Sequence, residues 1–304
     1  MEMELIVVLT TTTALRYAPL TYPRFRRLLA QFDQFQDSTV AVGYHLFGEP
    51  VGLTLAQLCP GCQAAHVHSL FVRPAYRGQG IGTALLARLE QEVAQRAYDR
   101  LTIEYPADHP ETPALERTLA QCGWRPSKRT YLRCAVLGQQ AVAALLAAPW
   151  MQSPRLPDGF ELFVWNDLSL DERRQIERQR AAEEDGHSAD PAVDDYPFEP
   201  LTSIGLRYHG EVVGWMLTRR TAPGRVLYDW LAFKPQLRGR GYGAALVVAA
   251  IQRQYELDGH LPDVGGVWRT RLDNLPMARF IKRRLQPYLT TLLETSISSR
   301  ELDR

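Results

Sequence analysis

The sequence predicts two α/β (α+β) modules in tandem, and three observations support this prediction. The chain has 304 residues, about twice the length of a typical domain. Two motifs recur in the same order and at nearly the same offset, which indicates a duplication. In each half, strand patterns are followed by a glycine-rich loop, a helix, a strand and a second helix. Each module is therefore expected to hold a mixed, mainly antiparallel sheet flanked by helices.

The internal repeat sets the expected domain boundaries. Gly48-Glu49-Pro50-Val51-Gly52 recurs as Gly210-Glu211-Val212-Val213-Gly214, and Arg77-Gly78-Gln79-Gly80-Ile81-Gly82 recurs as Arg238-Gly239-Arg240-Gly241-Tyr242-Gly243. Between the copies, prolines and a glycine interrupt the hydrophobic pattern at Pro149, Pro154, Pro157 and Gly159. We therefore predict an N-terminal domain at 1–150 and a C-terminal domain at 155–304.

Hydrophobic periodicity predicts the elements of the first copy. Leu86, Leu89 and Val93 recur at helical spacing after the glycine-rich loop. An apolar run at 5–9 is interpreted as a strand, because no basic segment of a signal peptide precedes it. Further strands are predicted at 39–47, 51–58, 65–72 and 101–105, with a second helix at 113–122. A strand at 130–136 is expected to close the first module.

The second copy repeats this order. Ser169 and Glu172 have the spacing of a capping box at the start of a predicted helix over 169–182. Strands are predicted at 160–165, 203–208, 212–218, 225–233 and 267–270. Helices are predicted directly after the second glycine-rich loop and at 276–285. A short Ala/Leu helix at 139–148 is predicted between the copies.

The bulk composition excludes several classes of protein. Lys and Arg total 35 and Asp and Glu total 34, so no nucleic-acid partner is expected. No apolar run is long enough to span a membrane. Four cysteines in a chain of this length do not suggest a disulfide framework, so we expect a cytoplasmic protein with free thiols. Cys59 and Cys62 form a single CxxC pair near His66 and His68, and without a second pair no metal site is expected.

The glycine-rich loops suit an anionic ligand. Gly80 and Gly82 in the first copy, like Gly241 and Gly243 in the second, let the backbone approach a ligand without a Cβ in the way. The first amides of the following helix point out of its positive end, which suits a pyrophosphate. An arginine precedes each loop and adds positive charge. Neither copy has the Lys-Ser/Thr pair of a phosphate loop or the Gly-x-Gly-x-x-Gly order of a dinucleotide fold.

Both loops, with the strands before them, resemble the GCN5-related N-acetyltransferase (GNAT) superfamily. The runs Leu70–Gly82 and Leu231–Gly243 are similar to that family's strand-loop-helix motif. The resemblance implies two tandem GNAT-like domains whose loop amides hold the pyrophosphate of acetyl-CoA or another acyl-CoA, while strand backbone pairs with pantetheine. In the first copy the implied positions are Leu70, Phe71, Val72, Arg77, Gly78, Gln79, Gly80, Ile81, Gly82 and Thr83. In the second copy they are Leu231, Ala232, Phe233, Arg238, Gly239, Arg240, Gly241, Tyr242, Gly243, Ala244 and Asn274.

The acyl transfer implied by the resemblance requires a group that removes a proton from the attacking amine. In the family a carboxylate often stands on the strand before the loop, and the matching positions here are Asp229 in the second copy and His68 in the first. The family's tyrosine that protonates the leaving thiolate is missing, because its positions hold Leu119 and Ile281. The candidate substitutes are Tyr288 and Tyr131.

An acid-rich segment of the second copy is the candidate acceptor site. No Lys or Arg occurs between Arg180 and Arg207. In the GNAT superfamily this part of the chain walls the acceptor site, so clustered carboxylates there would attract a cationic amine. The same composition is also typical of a solvated acidic loop. We expect catalysis in the second copy, with acceptor contacts from Glu183, Glu184, Asp185, Asp194 and Asp195.

Three functions are consistent with these patterns. The first is an N-acyltransferase that moves an acyl group, acetyl being the simplest, from a coenzyme A thioester to the primary amine of a small molecule or peptide. The second is a fatty-acyltransferase that lipidates Orn or Lys side chains of a ribosomal peptide, as some two-module members of the superfamily do. The third is a non-catalytic acyl-CoA sensor or scaffold, which the two missing tyrosines favour.

Overall fold

Contacts divide the chain into two units, each built around a mixed sheet. Unit 1 comprises Met1–Arg129 with Thr295–Arg304, and unit 2 comprises Thr130–Glu294. The computed structural model describes residues 5–59, 62–152, 156–183 and 198–302. No helix in these ranges has the length and hydropathy needed to cross a membrane. The predicted domain boundaries at 1–150 and 155–304 stay a prediction about the two sequence copies.

Unit 1 is a sheet covered by helices. Its strands are β1 (Leu5–Val8), β2 (Thr39–Leu46), β3 (Glu49–Cys59), β4 (Ala64–Val72), β5 (Arg100–Pro106) and β12 (Thr291–Glu301). Its helices are α1 (Arg26–Ala30), α2 (Phe32–Phe35), α3 (Ile81–Gln95) and α4 (Thr112–Gln121). The strand order is β1-β2-β3-β4-β5-β12. β4 and β5 are parallel, and the other pairs are antiparallel.

Unit 2 has the same plan. Its strands are β6 (Lys128–Leu137), β7 (Phe160–Val164), β8 (Ile204–Tyr208), β9 (Glu211–Ala222), β10 (Arg225–Phe233) and β11 (Gly265–Arg271). Its helices are α5 (Gln139–Leu146), α6 (Leu170–Glu183), α7 (Tyr242–Asp258) and α8 (Leu275–Phe280), which continues as a π-helix over Ile281–Leu285. The strand order is β7-β8-β9-β10-β11-β6, with only the β10–β11 pair parallel among the described strands. The predicted fold class is confirmed.

Each unit buries the apolar face of the helix that follows its glycine-rich loop. On α3, Leu85, Leu86 and Leu89 are fully buried against the sheet. On α7, Leu246 and Val248 occupy the same layer of unit 2. Burying a leucine side chain contributes about 1.5–3 kcal/mol, so these helices are held in place along most of their length. Their N-termini, and the loops before them, are fixed as a consequence.

The predicted capping box is confirmed at the start of α6. The Ser169 amide donates to Glu172 Oε2 at 2.8 Å, and the Glu172 amide donates to Ser169 Oγ at 3.2 Å. These bonds satisfy two amides that the helix itself leaves unpaired. The bond from the Ser169 backbone also lowers the pKa of the Glu172 carboxyl below its usual range.

The strand that follows the parallel pair in the sheet order of each unit is far in sequence from the strand it pairs with. β12 completes unit 1 by pairing with β5, from Thr295 opposite Pro106 to Glu301 opposite Arg100. β6 completes unit 2 by pairing with β11. The expectation that the strand at 130–136 closes the first module is therefore wrong. A period of two identifies a strand, but it carries no information on which edge the strand joins.

Polar side chains fasten β12 into unit 1. Thr295 Oγ1 donates to Glu104 Oε1 at 2.7 Å, and Ser298 Oγ donates to the Arg125 carbonyl at 2.6 Å. Arg300 Nη1 donates to the Gly123 carbonyl at 2.9 Å. Both hydroxyl residues are almost fully buried. The C-terminal segment is therefore an integral part of unit 1.

We predict that truncation after Glu294 destabilises unit 1. Losing the β12 ladder and these three side-chain bonds should cost at least about 3 kcal/mol. At about 2–4 °C per kcal/mol, the first unfolding transition in calorimetry should fall by about 6–12 °C. Truncation after Leu302, which leaves the β12 ladder intact, is the matched control. Equal melting curves for the two truncations would contradict this account of β12.

Candidate active site

A gap opens between the two parallel strands of each unit. β4 and β5 are paired only from Ala64 opposite Arg100 to Val67 opposite Ile103, although β4 continues to Val72. In unit 2, β10 and β11 are paired only as far as Leu227 opposite Val267, and β10 continues for six residues to Phe233. Beyond the last pair, alternate backbone groups of β4 and β10 face the gap. An extended ligand can pair with such groups as an additional strand would.

A β-bulge marks the point where each gap begins. The register of β3 with β4 shifts so that His68 is the extra residue between Val67 and Ser69. The register of β9 with β10 shifts in the same way, and Asp229 is the extra residue between Tyr228 and Trp230. The two candidate bases therefore occupy equivalent positions beside equivalent gaps.

The glycine-rich loops stand at the open end of the gaps. Gly78 and Gly80 have φ values of +77° and +80°, and Gly239 and Gly241 have +76° and +86°. These are left-handed conformations that favour glycine. A Cβ built on any of the four meets no heavy atom within 4 Å, so open space lies beside the backbone.

The helix N-termini beside the loops are uncapped. α3 and α7 begin directly after Gly80 and Gly241, and no side chain accepts a hydrogen bond at either N-cap. Their first amides, at the positive end of a helix of 15 and 17 residues, are open to an anion. The residues present therefore fit a pyrophosphate, and the loop as its binding site stays a prediction.

The arginine before each loop bonds the loop to the end of the preceding strand. Arg77 Nε donates to the Val72 carbonyl at 3.0 Å, and Arg238 Nε donates to the Phe233 carbonyl at 3.1 Å. Each bond ties the loop back to the end of its strand. In unit 1, Arg77 Nη1 also donates to Glu111 Oε1 at 2.6 Å, so a carboxylate stands beside the first loop.

The remaining cofactor-binding candidates divide between lining and supporting positions. Asn274 caps α8 by accepting from the Met277 amide at 3.3 Å. The Tyr242 ring packs against the Phe160 ring, with centroids 4.6 Å apart and an angle of 37° between the ring planes. Ile81, Ala232 and Phe233 are buried and support the site from the core side. The partly or fully exposed candidates are Leu70, Phe71, Val72, Gln79, Gly82, Thr83, Leu231, Arg240, Gly243 and Ala244.

In unit 1 the bulge residue is covered. His68 is only 8% exposed, and its Nε2 lies 3.0 Å from Gln57 Oε1. The ring of Phe25, from the 3₁₀ segment Pro23–Phe25, stacks on the imidazole at a centroid distance of 4.3 Å. His66 lies edge-on to His68 with centroids 5.1 Å apart. His68 is therefore held between a glutamine and an aromatic ring.

In unit 2 the bulge residue reaches solvent. The Asp229 side chain is 23% exposed, and its Oδ2 accepts from Arg219 Nε at 2.8 Å. The Arg219 side chain is only 4% exposed, and its guanidinium lies 4.3 Å from the ring centroid of Phe198. Trp215 and Trp230 pack 5.2 Å apart on the same strands. Sequence reasoning proposed Asp229 as a candidate base, but it did not consider Arg219 or Phe198.

The other residues discussed for catalysis and acceptor binding lie away from the bulges or outside the described residues. Tyr288 is half-buried and packs against the core of unit 2. Glu183 is the last residue of α6, while Glu184, Asp185, Asp194 and Asp195 lie outside the described residues. Leu119 and Ile281 are each 2% exposed and serve as core residues. In the described ranges, no group of three or more His, Cys, Asp or Glu is arranged to hold a metal ion.

Fold and site together define a class of protein. Each unit combines a bulged strand, a gap beside it and a glycine-rich loop at a helix N-terminus, which suits a long ligand with a pyrophosphate at one end. The sequence profile of the acetyltransferase (GNAT) family matches residues 10–124 and 164–285. The chain therefore belongs to the acetyltransferase (GNAT) family and is an acyl-CoA-dependent N-acyltransferase in general terms, in a family that uses acetyl-CoA.

Solved structures share the two-unit fold over the full chain. A tandem GNAT protein from the clavulanic acid biosynthesis pathway is 18% identical, covers 99% of both chains and has a TM-score of 0.72. A GCN5-related N-acetyltransferase from Sphaerobacter thermophilus is also 18% identical, covers 99% of this chain and 96% of its own, and has a TM-score of 0.66. No curated protein sequence matches the chain.

We predict that Glu111→Gln strengthens binding of coenzyme A to unit 1. The substitution removes a carboxylate beside the first loop, while Arg77 keeps its bond to Val72. Exposed charge pairs contribute up to about 1 kcal/mol, so affinity should rise about two- to fivefold at low salt. Titration calorimetry in a Gly241→Asp background, which blocks the second loop, measures the effect.

High salt should abolish this gain because it screens exposed charges. Glu301→Gln, which removes another exposed ion pair of unit 1, is the control. Unchanged or weaker binding in Glu111→Gln would show that the Glu111 carboxylate is too far from the pyrophosphate to repel it.

Proposed function

We propose that this protein transfers an acyl group, with acetyl as the first candidate, from a coenzyme A thioester to a primary amine, and that unit 2 performs the chemistry. One observation carries the assignment to unit 2. Asp229 stands at the bulge where the gap begins, and its side chain is 23% exposed, whereas His68 in unit 1 is 8% exposed beneath Phe25. An acceptor amine, or a water beside it, can reach only an exposed base.

The proposed roles follow from position. Bound acyl-CoA supplies an activated carbonyl, and the α7 amides and the loop after Phe233 hold its pyrophosphate. Backbone groups of β10 from Leu231 to Phe233 hold the pantetheine along the gap. Asp229 accepts a proton from the amine, directly or through one water, as the amine attacks the carbonyl. Tyr288 stays the proposed proton donor to the leaving thiolate.

The proposed acceptor is a small amine or a peptide amine. Support for a cationic acceptor comes from the acid-rich sequence that ends beside Phe198 and Glu199. Glu199 itself is engaged, because its Oε2 accepts from Arg220 Nε at 2.8 Å. The described end of this segment is therefore anchored to β9, next to Asp229. We place the protein in the cytoplasm, because four cysteines in a chain of 304 residues do not suggest the disulfide framework of a secreted protein.

A second candidate function is an acyl-CoA sensor without turnover. The observation that favours it is the burial of Leu119 and Ile281, which occupy the positions of the family's acidic tyrosine in both units. Under this alternative, acyl-CoA binds at the loops and shifts the stability of the protein, but no amine is acylated.

We predict that the protein binds acetyl-CoA at both loops, which native mass spectrometry of the purified protein measures. Saturation should give two coenzyme A molecules per chain. A carboxylate placed where the pyrophosphate would lie should remove one of them in Gly80→Asp and the other in Gly241→Asp. Absence of bound coenzyme A across a panel of acyl-CoAs would refute both candidate functions.

We also predict that Asp229→Asn lowers kcat about 10²–10⁴-fold, the usual contribution of a general base. The assay follows thiol release from acetyl-CoA with a panel of small primary amines and lysine peptides. Acetyl-CoA affinity should stay within about twofold, because Asp229 lies outside the loop. Asp263→Asn, which breaks an exposed ion pair with Arg225 near the other end of β10, is the control. Full activity in Asp229→Asn would remove unit 2 as the catalytic unit, and no turnover with any amine would favour the sensor.

A further inference from the structure

In each unit, the bulge residue contacts a side chain at the same position of the neighbouring antiparallel strand. In unit 1, His68 Nε2 lies 3.0 Å from Gln57 Oε1 on β3. In unit 2, Asp229 Oδ2 lies 2.8 Å from Arg219 Nε on β9. The strand registers match as well, because Gln57 stands opposite His66 and Arg219 opposite Leu227, in each case two residues before the bulge.

In each unit a phenylalanine packs against one member of the pair. Phe25 stacks on His68 at 4.3 Å with an interplanar angle of 21°. Phe198 lies under the Arg219 guanidinium at 4.3 Å. Phe25 comes from the segment between β1 and β2, and Phe198 from the segment between β7 and β8, which are the corresponding strands of the two sheets. Three parts therefore recur: a polar bulge residue, a long polar partner on the next strand and an aromatic cover.

We propose that Arg219 is the positioning residue of Asp229, and that Gln57 with His68 is the neutral copy of the same bulge dyad. The inference rests on the proposed function only for its consequence in catalysis. Arg219 acts through Asp229, because a side chain that is 4% exposed is out of reach of the acceptor. The Phe198 ring packs under the guanidinium at 4.3 Å and limits its movement.

The geometry of the bulge explains why Asp229 needs a partner that fixes its orientation. A bulge leaves its extra residue out of the ladder, so neighbouring strand bonds do not fix its orientation. A charge-assisted bond from a rigid guanidinium selects one rotamer of the aspartate. General-base catalysis needs such placement to within fractions of an ångström. Asp229 is therefore held in one orientation, beside the start of the gap, before the acceptor arrives.

Arginine variants test the dyad in the full-length protein. We expect Arg219→Gln to lower kcat at least about tenfold, because positioning errors of this kind carry penalties up to about 10²-fold. KM for the amine and Kd for acetyl-CoA should stay within about threefold. Arg219→Lys should recover most of the loss, since its ammonium can still donate to Asp229. Arg225→Gln, which removes an exposed arginine of β10, is the matched control.

The double variant Arg219→Gln/Asp229→His covers the case in which the single variant fails to fold. It copies the glutamine–histidine dyad of unit 1 into unit 2, so the protein should regain a wild-type melting temperature. A double variant that stays as unstable as Arg219→Gln would overturn the equivalence of the two dyads, and unchanged kcat in Arg219→Gln would overturn the positioning role.

A spectroscopic measurement separates the dyad from the proposed function. In ¹⁵N-labelled protein, Arg219 Nε–H should exchange slowly with water, and its signal should be lost or shifted in Asp229→Asn. This readout needs no amine turnover. Fast exchange in the wild type would refute the dyad even if acylation is observed. Slow exchange with no turnover of any amine would retain the dyad and reject catalysis in unit 2.

Discussion

The β-bulge at His68 and Asp229 is the constraint on which the rest of each site depends. An extra residue in one strand of an antiparallel pair increases the local twist and bends that strand away from its other neighbour. The parallel pairing on the far side stops at Val67 and Leu227, one or two residues before the bulge. The bulge therefore creates the gap and places a polar side chain beside it. In unit 2 the residue before the bulge is also bonded to a helix, because the hydroxyl of the buried Tyr228 donates to Gln254 on α7 at 2.7 Å.

Ligand binding and chemistry depend on different parts of each unit. In the proposed function, coenzyme A binding depends on backbone groups: strand groups facing the gap, left-handed glycines and helix amides. Backbone geometry survives most side-chain changes, which explains why both loops keep the same conformation. Chemistry depends on the side chains at the bulge and on the face covered by Phe25 or Phe198, and there the units differ in charge and exposure. Under the proposed function, one duplicated scaffold therefore retains two coenzyme A sites, while only the bulge residue of unit 2 is open to an acceptor.

The sequence was sufficient for the parts of the structure that depend on local pattern. The loops, the helices after them, the capping box at Ser169 and the hairpins all follow from turn residues and periodicity. It was insufficient where partners are distant. Strand β12 escaped prediction because its buried positions are polar, with Thr295, Ser296 and Ser298 in place of an apolar alternation. Arg219 was missed as the partner of Asp229 because the two residues lie on different strands. A signal was present, since Gln57 and Arg219 are separated by the repeat offset and each interrupts an otherwise apolar strand face.

The two dyads also explain how such copies can diverge. A lone change of Gln57 to arginine would bury a cation beside an imidazole, and a lone change of His68 to aspartate would leave a carboxylate facing an amide under Phe25. Leaving one buried charge without its partner costs about 3–5 kcal/mol, a large share of the stability of a single domain. The two positions can therefore change from glutamine and histidine to an ion pair only together, or through an intermediate in which the bulge is exposed. Unit 2, whose bulge residue reaches solvent, has the environment that tolerates the charged pair, whereas the covered bulge of unit 1 favours the neutral one.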